Sequence, residues 1–213
     1  MADCLPMPAP PPAADEDSAL MLAFGRGDAL AFDQLYQRHH QALYRFVRRL
    51  LGREAGTQAD EVFQDTWLRV VQQRQRYNAT QARFRTWLFT LAHHRAMDVL
   101  RRSGREVSSP GDDTDAPWEP AGAAAWSQWP AAAAMQDDQV FWRRAGQRLL
   151  DCLEQLPPPQ KTAFLLHHEE GLPLDELAQA LELGYETVKS RLRYALGKLR
   201  QCMGAYLAPE TGA

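Results

Sequence analysis

Residues 174–200 read LDELAQALELGYETVKSRLRYALGKLR, and this stretch decides the fold of the C-terminal part of the chain. Its opening places Leu177, Ala178 and Leu181 on one helical face. Gly184 is a natural corner, because a residue without a Cβ adopts backbone conformations that other residues resist. Beyond this corner, apolar residues recur at the steps of a buried helical stripe, at Val188, Leu192, Leu196 and Leu199. The spacing predicts two helices joined by a tight turn.

The second helix of this pair is strongly basic. Between residues 184 and 203 only Glu186 opposes five cations, which leaves a net charge of +4: Lys189, Arg191, Arg193, Lys198 and Arg200. In a helix-turn-helix the second helix lies in the DNA major groove, where positive charge suits phosphate. The alternative is an amphipathic helix that packs in a bundle and keeps a solvated basic face.

Length and composition limit the class of protein. The chain has 213 residues, of which 45% are hydrophobic, enough for two small cores. It has neither an apolar run long enough for a membrane span nor a signal-peptide pattern, so we expect no membrane insertion. Cys4, Cys152 and Cys202 are odd in number and far apart, so we expect no disulfide framework and a reducing, cytoplasmic location.

The net charge of −3 hides strong local asymmetry. Residues 1–23 carry a net charge of −4, residues 24–102 carry +7, residues 103–139 carry −6 and residues 140–203 carry +1. A basic first part, an acidic connector and a basic final helix favour an anionic partner for the two structured parts.

Helical periodicity predicts an all-α fold, since no segment alternates as a strand does. We expect two small helical domains over 18–102 and 137–204, the first a bundle and the second a helix-turn-helix unit. An acidic linker rich in Ala and Pro should join them over 103–136, with a disordered tail at 1–17 and a short tail at 205–213.

The pattern also predicts the helices within each domain. The first should begin near Ser18 and continue past Gly25 and Gly27, and a long helix should run from Asp28 to Gly52. Before the helix-turn-helix, Pro157 and Gly171 should act as breaks. The other predicted helices cover 59–76, 84–102, 137–156 and 160–168.

Three tryptophans interrupt the linker, at Trp118, Trp126 and Trp129. They are unusual in a pure spacer. Docking on a partner or a domain and no role at all remain equally open.

Three stretches together carry a family resemblance. They are ADEVFQDTWLRVV at 59–71, FRTWLFTLAHHRAMDVLRR at 84–102, and TVKSRL at 187–192 within the helix-turn-helix. In this order, with a linker of about 30 residues between the domains, they resemble an extracytoplasmic-function (ECF, group 4) sigma factor of the bacterial sigma-70 family. The resemblance implies a sigma region 2 domain over 18–102 and a region 4 domain over 137–204.

The resemblance implies that the chain binds core RNA polymerase, recognises the −35 and −10 elements of promoter DNA, and melts the duplex to start transcription. Its partners would be the β′ clamp and β flap of the polymerase, promoter DNA and an anti-sigma factor. It implies no cofactor and no catalytic residue.

The surface implied for the β′ clamp lies on the helix at 59–71. Four of its residues form a mainly acidic face in a domain that is otherwise basic, which suggests a protein partner, although ordinary solubility explains the charge equally well. The implied contacts are Asp60, Glu61, Phe63, Gln64, Asp65 and Trp67.

The surface implied for the −10 element combines aromatic, amide and basic side chains. Unpaired bases stack on aromatic rings, and the family places the pocket for a flipped base in the loop before Phe84, which favours Asn78. Trp87 lies at the flank of its helix and is as readily explained as core. The implied contacts are Tyr77, Asn78, Arg83, Phe84, Arg85, Trp87, Arg95, Arg101 and Arg102.

The surface implied for the −35 element lies on the last helix. Glu186 stands where the family usually has Gly, and its carboxylate either accepts from cytosine N4 or compensates the helix dipole. Gly184 and His94 also depart from the usual residues. The implied contacts are Glu186, Thr187, Lys189, Ser190, Arg191, Arg193 and Tyr194.

Two other function classes have weaker support in the sequence. Histidine pairs at 39–40, 93–94 and 167–168 lack a third metal ligand at helical spacing, and His94 with Asp98 is an isolated pair, so neither a metal site nor a helical hydrolase is expected. A free-standing helix-turn-helix regulator remains the alternative, but it has no need of the acidic helix at 59–71.

Overall fold

The structure is a computed structural model that describes residues 15–53, 55–104 and 139–207. Over these ranges the regular structure is helical, with no strand, which confirms the all-α prediction. The helices are α1 Glu16–Gly25, α2 Ala29–Leu51, α3 Gly56–Gln72, α4 Phe84–Arg102, α5 Gln139–Glu154, α6 Pro158–Phe164, α7 Leu174–Ala180 and α8 Tyr185–Leu207. We call residues 15–104 the N-terminal half and residues 139–207 the C-terminal half.

The long helix α2 has the ends that the sequence predicts. The Asp28 carboxylate accepts the backbone N–H of Leu30 at 3.0 Å, which caps the helix. Gly52 follows the last turn with a φ of 90°. Helix α4 likewise occupies its predicted range. Sequence signals therefore placed the two longest elements of the N-terminal half.

The first helix differs from the prediction at both ends. It stops at Gly25 instead of continuing, because Gly27 takes a φ of 107° and turns the chain into α2. A Cβ at Gly25 would lie 3.0 Å from the carbonyl oxygen of Arg74. The helix begins at Glu16, where the Asp15 side chain caps it. The last three residues of the expected tail, 15–17, therefore belong to the fold, and residues 1–14 lie outside the described ranges.

Three phenylalanines are the largest fully buried side chains of the N-terminal half. Phe46, Phe84 and Phe89 are each 0% exposed. The rings of Phe46 and Phe89 meet edge to face at 5.3 Å, a favoured arrangement of their quadrupoles. The predicted apolar faces of α2 and α3 are buried around them, at Leu35, Leu43, Val47, Leu50, Val62 and Val70.

Prolines and glycines divide the C-terminal half. Helix α6 begins at Pro158, two residues before the predicted start, because a proline at the first helical position gives up no hydrogen bond. A wider π-type turn follows over Leu165–Glu169. Gly171, with a φ of 67°, then breaks the chain before α7 as predicted.

The tight turn between α7 and α8 is made by a residue other than the expected one. Glu182 takes the left-handed conformation, with a φ of 54°, whereas Gly184 does not have a positive φ. The N–H of Leu183 donates to the Ala178 carbonyl at 2.9 Å and closes the end of α7. In α8, Val188 is buried as predicted, and the fully buried Ala195 accompanies it in the stripe.

Cys152 and Cys202 form a disulfide, contrary to the expectation of free thiols. Their Cα atoms are 5.9 Å apart although 50 residues separate them in sequence. The expectation was wrong because α5 and α8 pack against each other, so distance along the chain did not mean distance in space. The bond joins the first and last helices of the C-terminal half.

The two halves pack directly against each other. Their buried apolar residues form one continuous cluster. The Gln179 amide of α7 donates to the Gln81 carbonyl at 3.1 Å. Most of the expected linker, with Trp118, Trp126 and Trp129, lies outside the described residues. Among the described helices, none is both long enough and apolar enough to cross a bilayer.

Candidate nucleic-acid interface

A buried polar cluster fixes the loop between α3 and α4. The Tyr77 hydroxyl lies 2.7 Å from the Ser18 hydroxyl and donates to the Ala82 carbonyl at 3.0 Å. Ser18 in turn accepts the N–H of Phe84, the first residue of α4, at 3.1 Å. Burial raises the pKa of Tyr77 to about 12, so the phenol stays neutral and keeps its proton for these bonds. Helix α1 therefore holds the loop and the start of α4 in one geometry.

Asn78 lies exposed on this supported loop. Its side-chain oxygen accepts the N–H of Thr80 at 3.0 Å, an Asx turn that orients the amide. Trp87 is half-buried and packs on Tyr77 with ring centroids 5.2 Å apart. The structure thus brings together the amide and the indole that the sequence assigned to the −10 surface.

Three other residues assigned to the −10 surface are buried. Tyr77 is 6% exposed and Phe84 is 0% exposed, so both shape the site from within. Arg95 is 8% exposed, and its guanidinium bonds Asp65 at 2.7 Å and Glu61 at 2.9 Å. In this conformation Arg95 ties α4 to α3 and does not face solvent. Helical spacing alone did not reveal this, because α3 covers that side of α4.

The acidic face of α3 is only partly free for a partner. Asp60, Glu61 and Gln64 are exposed, although Asp60 accepts the hydroxyl of Tyr44 at 2.8 Å and Glu61 binds Arg95. Phe63 is half-buried, and Trp67 is 6% exposed. The two aromatic residues therefore anchor α3, and among its assigned residues Asp60, Glu61 and Gln64 are the exposed ones.

The arginines at the start of α4 contact the C-terminal half. Arg83 lies 3.3 Å from Glu176, and Arg85 lies 2.7 Å from Glu170. At the far end of α4, Arg101 pairs with Asp98 at 3.1 Å and Arg102 is exposed. Apart from the buried Arg95, the arginines assigned to the −10 DNA thus divide between an inter-half set and a solvent-facing set.

Helix α8 presents most of its assigned residues to solvent. Thr187, Lys189 and Arg193 are exposed, together with Glu186, whose carboxylate lies 3.6 Å from the Lys189 ammonium. The partly covered members of the set are Ser190, Arg191 and Tyr194. This arrangement suits a helix whose exposed face meets the edges and phosphates of DNA.

A small cavity of about 260 Å³ lies where the halves meet. His93 of α4 borders it, 3.4 Å from the Thr162 hydroxyl of α6. Burial, followed by the charges of His94, Arg191 and Arg101, lowers the pKa of His93 to about 3. The imidazole is therefore neutral at ordinary pH. Among the described residues, no group of three or more metal-ligating side chains comes together.

The sequence reading missed several residues that build these surfaces. Ser18 anchors the loop, but a serine near the start of a helix looks like any other. Glu170 and Glu176 bind α4 from the C-terminal half. A local sequence pattern does not reveal such a contact between distant segments. Tyr185, which is 49% exposed at the start of α8, could have been found as an aromatic residue next to Glu186.

Comparison with protein families gives two matches along the chain. The model of Sigma-70 region 2 matches residues 35–106, and the model of Sigma-70 region 4 matches residues 146–199.

Characterised relatives match over nearly the whole length. The ECF RNA polymerase sigma factor SigK of Mycobacterium ulcerans is 32% identical over 93% of this chain and 100% of its own length. The RNA polymerase sigma factor CarQ of Myxococcus xanthus is 30% identical over 86% of this chain and 95% of its own.

Two solved structures have a similar fold. CnrH, in complex with the cytosolic domain of CnrY, covers 90% of this chain and 99% of its own with a TM-score of 0.62 and 24% identity. The sigma factor RpoE of Bartonella quintana, in complex with the anti-sigma factor NepR, covers 81% of this chain and 96% of its own with a TM-score of 0.56 and 22% identity.

Proposed function

The chain belongs to the extracytoplasmic-function group of the sigma-70 family, and we propose from this premise how its two halves divide the work at a promoter. It is an RNA polymerase sigma factor that directs transcription initiation, and it is not an enzyme. Region 2 and region 4 matches in one chain do not favour a free-standing helix-turn-helix regulator.

In our proposal the loop before α4 captures an unpaired base of the −10 element. A flipped base needs a rigid pocket with hydrogen-bonding groups and a surface for stacking. Asn78 offers its amide on a loop that Ser18 and Tyr77 hold in place, and Trp87, in the first turn of α4, offers its indole beside Tyr77. The exposed arginines at the end of α4, Arg101 and Arg102, would then contact the DNA backbone. The supported Asn78–Trp87 pair is the observation that carries this assignment.

The C-terminal half would anchor the −35 element through α8. Lys189 and Arg193 are exposed on its basic face and suit phosphate, while Thr187 and Glu186 lie at its start, where base edges are read. Helix α3 would bind the polymerase β′ clamp through Asp60, Glu61 and Gln64. The β flap would be the second polymerase contact.

Regulation by an anti-sigma factor and a cytoplasmic location complete the proposal. The solved structures of similar fold, CnrH and RpoE, hold protein partners, and for RpoE the partner is an anti-sigma factor. A cytoplasmic location follows from the proposed partners, core polymerase and chromosomal DNA.

A gel-shift experiment tests the division of work. The purified chain should show little sequence-specific binding to duplex promoter DNA, and adding core polymerase should produce a specific complex. Asn78→Ala should weaken the opened complex, whereas the exposed change Gln75→Ala, three residues earlier, serves as the matched control. Tight specific binding by the chain alone would favour a free-standing regulator.

A further inference from the structure

In the ion pairs that join the two halves, the positive and the negative partners come from different halves. Among the described residues, five pairs take their arginine from the N-terminal half and their carboxylate from the C-terminal half. The five pairs are Arg49–Glu169, Arg53–Asp151, Arg53–Glu154, Arg83–Glu176 and Arg85–Glu170. Both halves also expose charges of the other sign, for example Asp60 in the first and Arg193 in the second. At these five pairs a basic surface of the N-terminal half meets an acidic surface of the C-terminal half, whereas Arg191 brings a positive charge to the cavity beside His93.

Two of the carboxylates are well covered. The Glu170 side chain is 3% exposed and the Glu176 side chain is 15% exposed. Glu176 also accepts the hydroxyl of Thr86, which is itself 4% exposed. A buried carboxylate is costly unless it is paired and hydrogen-bonded. Their pairing with Arg83 and Arg85 therefore offsets the cost of burying these acids while the two halves are packed.

The two arginines that pair with Glu170 and Glu176 are also assigned to the −10 DNA. Arg83 and Arg85 stand at the start of α4, next to the loop that carries Asn78. A guanidinium binds a carboxylate and a phosphate through the same N–H groups. Glu176 and Glu170 thus lie where the DNA backbone would have to bind.

The packed arrangement also conflicts with the span of a promoter. The −10 and −35 elements lie about 25 base pairs apart, or about 85 Å at 3.4 Å per base pair. Here Gln179 of α7 touches Gln81 of the −10 loop at 3.1 Å. The two halves must separate before both elements are held.

We infer that Glu169, Glu170 and Glu176 form an internal DNA mimic, which closes on Arg49, Arg83 and Arg85 and keeps the free chain from binding DNA. The inference rests on the proposed −10 role of Arg83 and Arg85. Core polymerase, by separating the halves, would expose these arginines to the promoter. A high salt concentration should open the chain as well, because screening weakens such pairs.

The first test measures DNA binding by the full chain. The probe is a fluorescein-labelled single-stranded 20-mer of mixed sequence, followed by anisotropy at low salt. Glu170→Gln combined with Glu176→Gln should bind about tenfold more tightly than the natural chain, since two charge-assisted pairs are lost. The control pair Asp175→Asn with Glu182→Gln changes the net charge equally at two exposed acids. If both double variants bind the 20-mer more tightly by the same factor, the change in net charge explains the effect and the mimic is overturned.

A second test uses a residue outside the DNA-binding set. Arg49→Glu removes a positive charge, which by itself weakens DNA binding, yet the mimic predicts tighter binding and a larger radius of gyration by X-ray scattering. Adding Glu169→Arg should restore the pair and reverse both effects, which misfolding would not allow. Weaker binding by Arg49→Glu, or no reversal by the second change, would overturn the mimic.

Transcription separates this inference from the proposed function. If the natural chain and the variants all initiate with core polymerase but bind the 20-mer alike, the mimic fails and the sigma function stands. If none of them initiates, the proposed function itself fails.

Discussion

The N-terminal half and the C-terminal half present their candidate DNA-binding surfaces in different ways. The first supports an exposed Asn78 and a half-buried Trp87 with a buried hydrogen-bond cluster around Ser18 and Tyr77. The second places its candidate residues on one exposed face of α8, braced by a disulfide and a small apolar core. A surface helix can be assigned from periodicity, whereas a supported loop depends on contacts between distant segments.

The largest expected effect concerns the core beneath α8. Val188 is 0% exposed, and Val188→Asp would bury an unpaired carboxylate at a cost on the order of 5 kcal/mol, comparable with the stability of a small domain. The C-terminal half should lose its cooperative melting transition in circular dichroism while the N-terminal half stays helical. The exposed neighbour change Lys189→Asp should melt nearly as the natural chain does. If Val188→Asp kept the cooperative melting transition, Val188 would not face the core.

Next in size is the disulfide that distinguishes the C-terminal half. Closing a loop of 50 residues is worth about 4 kcal/mol through the entropy of the unfolded chain. Cys152→Ser with Cys202→Ser, or a reductant, should therefore lower the melting temperature of the C-terminal half strongly. Cys4→Ser is the matched control and should leave it unchanged. An equal melting temperature with and without reductant would mean that the bond adds no stability.

The ion pairs of Arg95, which join α4 to α3, should contribute less to stability. Arg95→Met would leave Glu61 and Asp65 close together without their cation, and because both acids are partly exposed we expect a loss of about 1–2 kcal/mol. Urea denaturation measures this change. Arg95→Lys keeps the charge but not the two-pronged geometry and should fall in between. If Arg95→Met is as stable as the natural chain but binds DNA more weakly, Arg95 acts as a phosphate contact.

A smaller effect is expected at the exposed face of α8. Lys189→Ala should weaken binding of the polymerase complex to −35 DNA and lower the salt slope by about one if the ammonium contacts phosphate. Lys198→Ala, about two and a half turns further on and next to the Tyr194 ring, is the matched control. Unchanged affinity and slope in Lys189→Ala would show that this side chain faces away from DNA.

A pH dependence of the contact between the halves is expected as well. The pKa of His93 falls to about 3 in the packed chain because of burial and the nearby His94, Arg191 and Arg101. An open chain takes up this proton near pH 6.5 and the packed chain does not, so packing weakens as the pH falls from about 6.5 towards 3.

Scattering at several pH values compares the natural chain with His93→Gln. Burial raises the pKa of Glu169, so this residue favours packing as the pH falls, opposite to His93. The difference between the curves of the two chains therefore isolates the effect of His93. The natural chain should open more steeply on acidification. Identical curves would show that His93 does not sense the contact.

Much of the fold was predictable because its signals are local. Asp28 and Gly52 marked the ends of α2, and the apolar stripe around Val188 marked the inner face of α8. Three of the errors have a common physical cause, which is that they depend on contacts between distant segments. The Cys152–Cys202 bond, the burial of Arg95 and the pairing of Arg85 with Glu170 arise only when separate helices meet.

Run-off transcription with bacterial core polymerase on a genomic promoter library tests the central claim most directly. The account predicts discrete start sites that appear only when this chain is added, and fewer transcripts with Asn78→Ala or Lys189→Ala. A chain that neither binds core polymerase nor produces initiation at any promoter would contradict it.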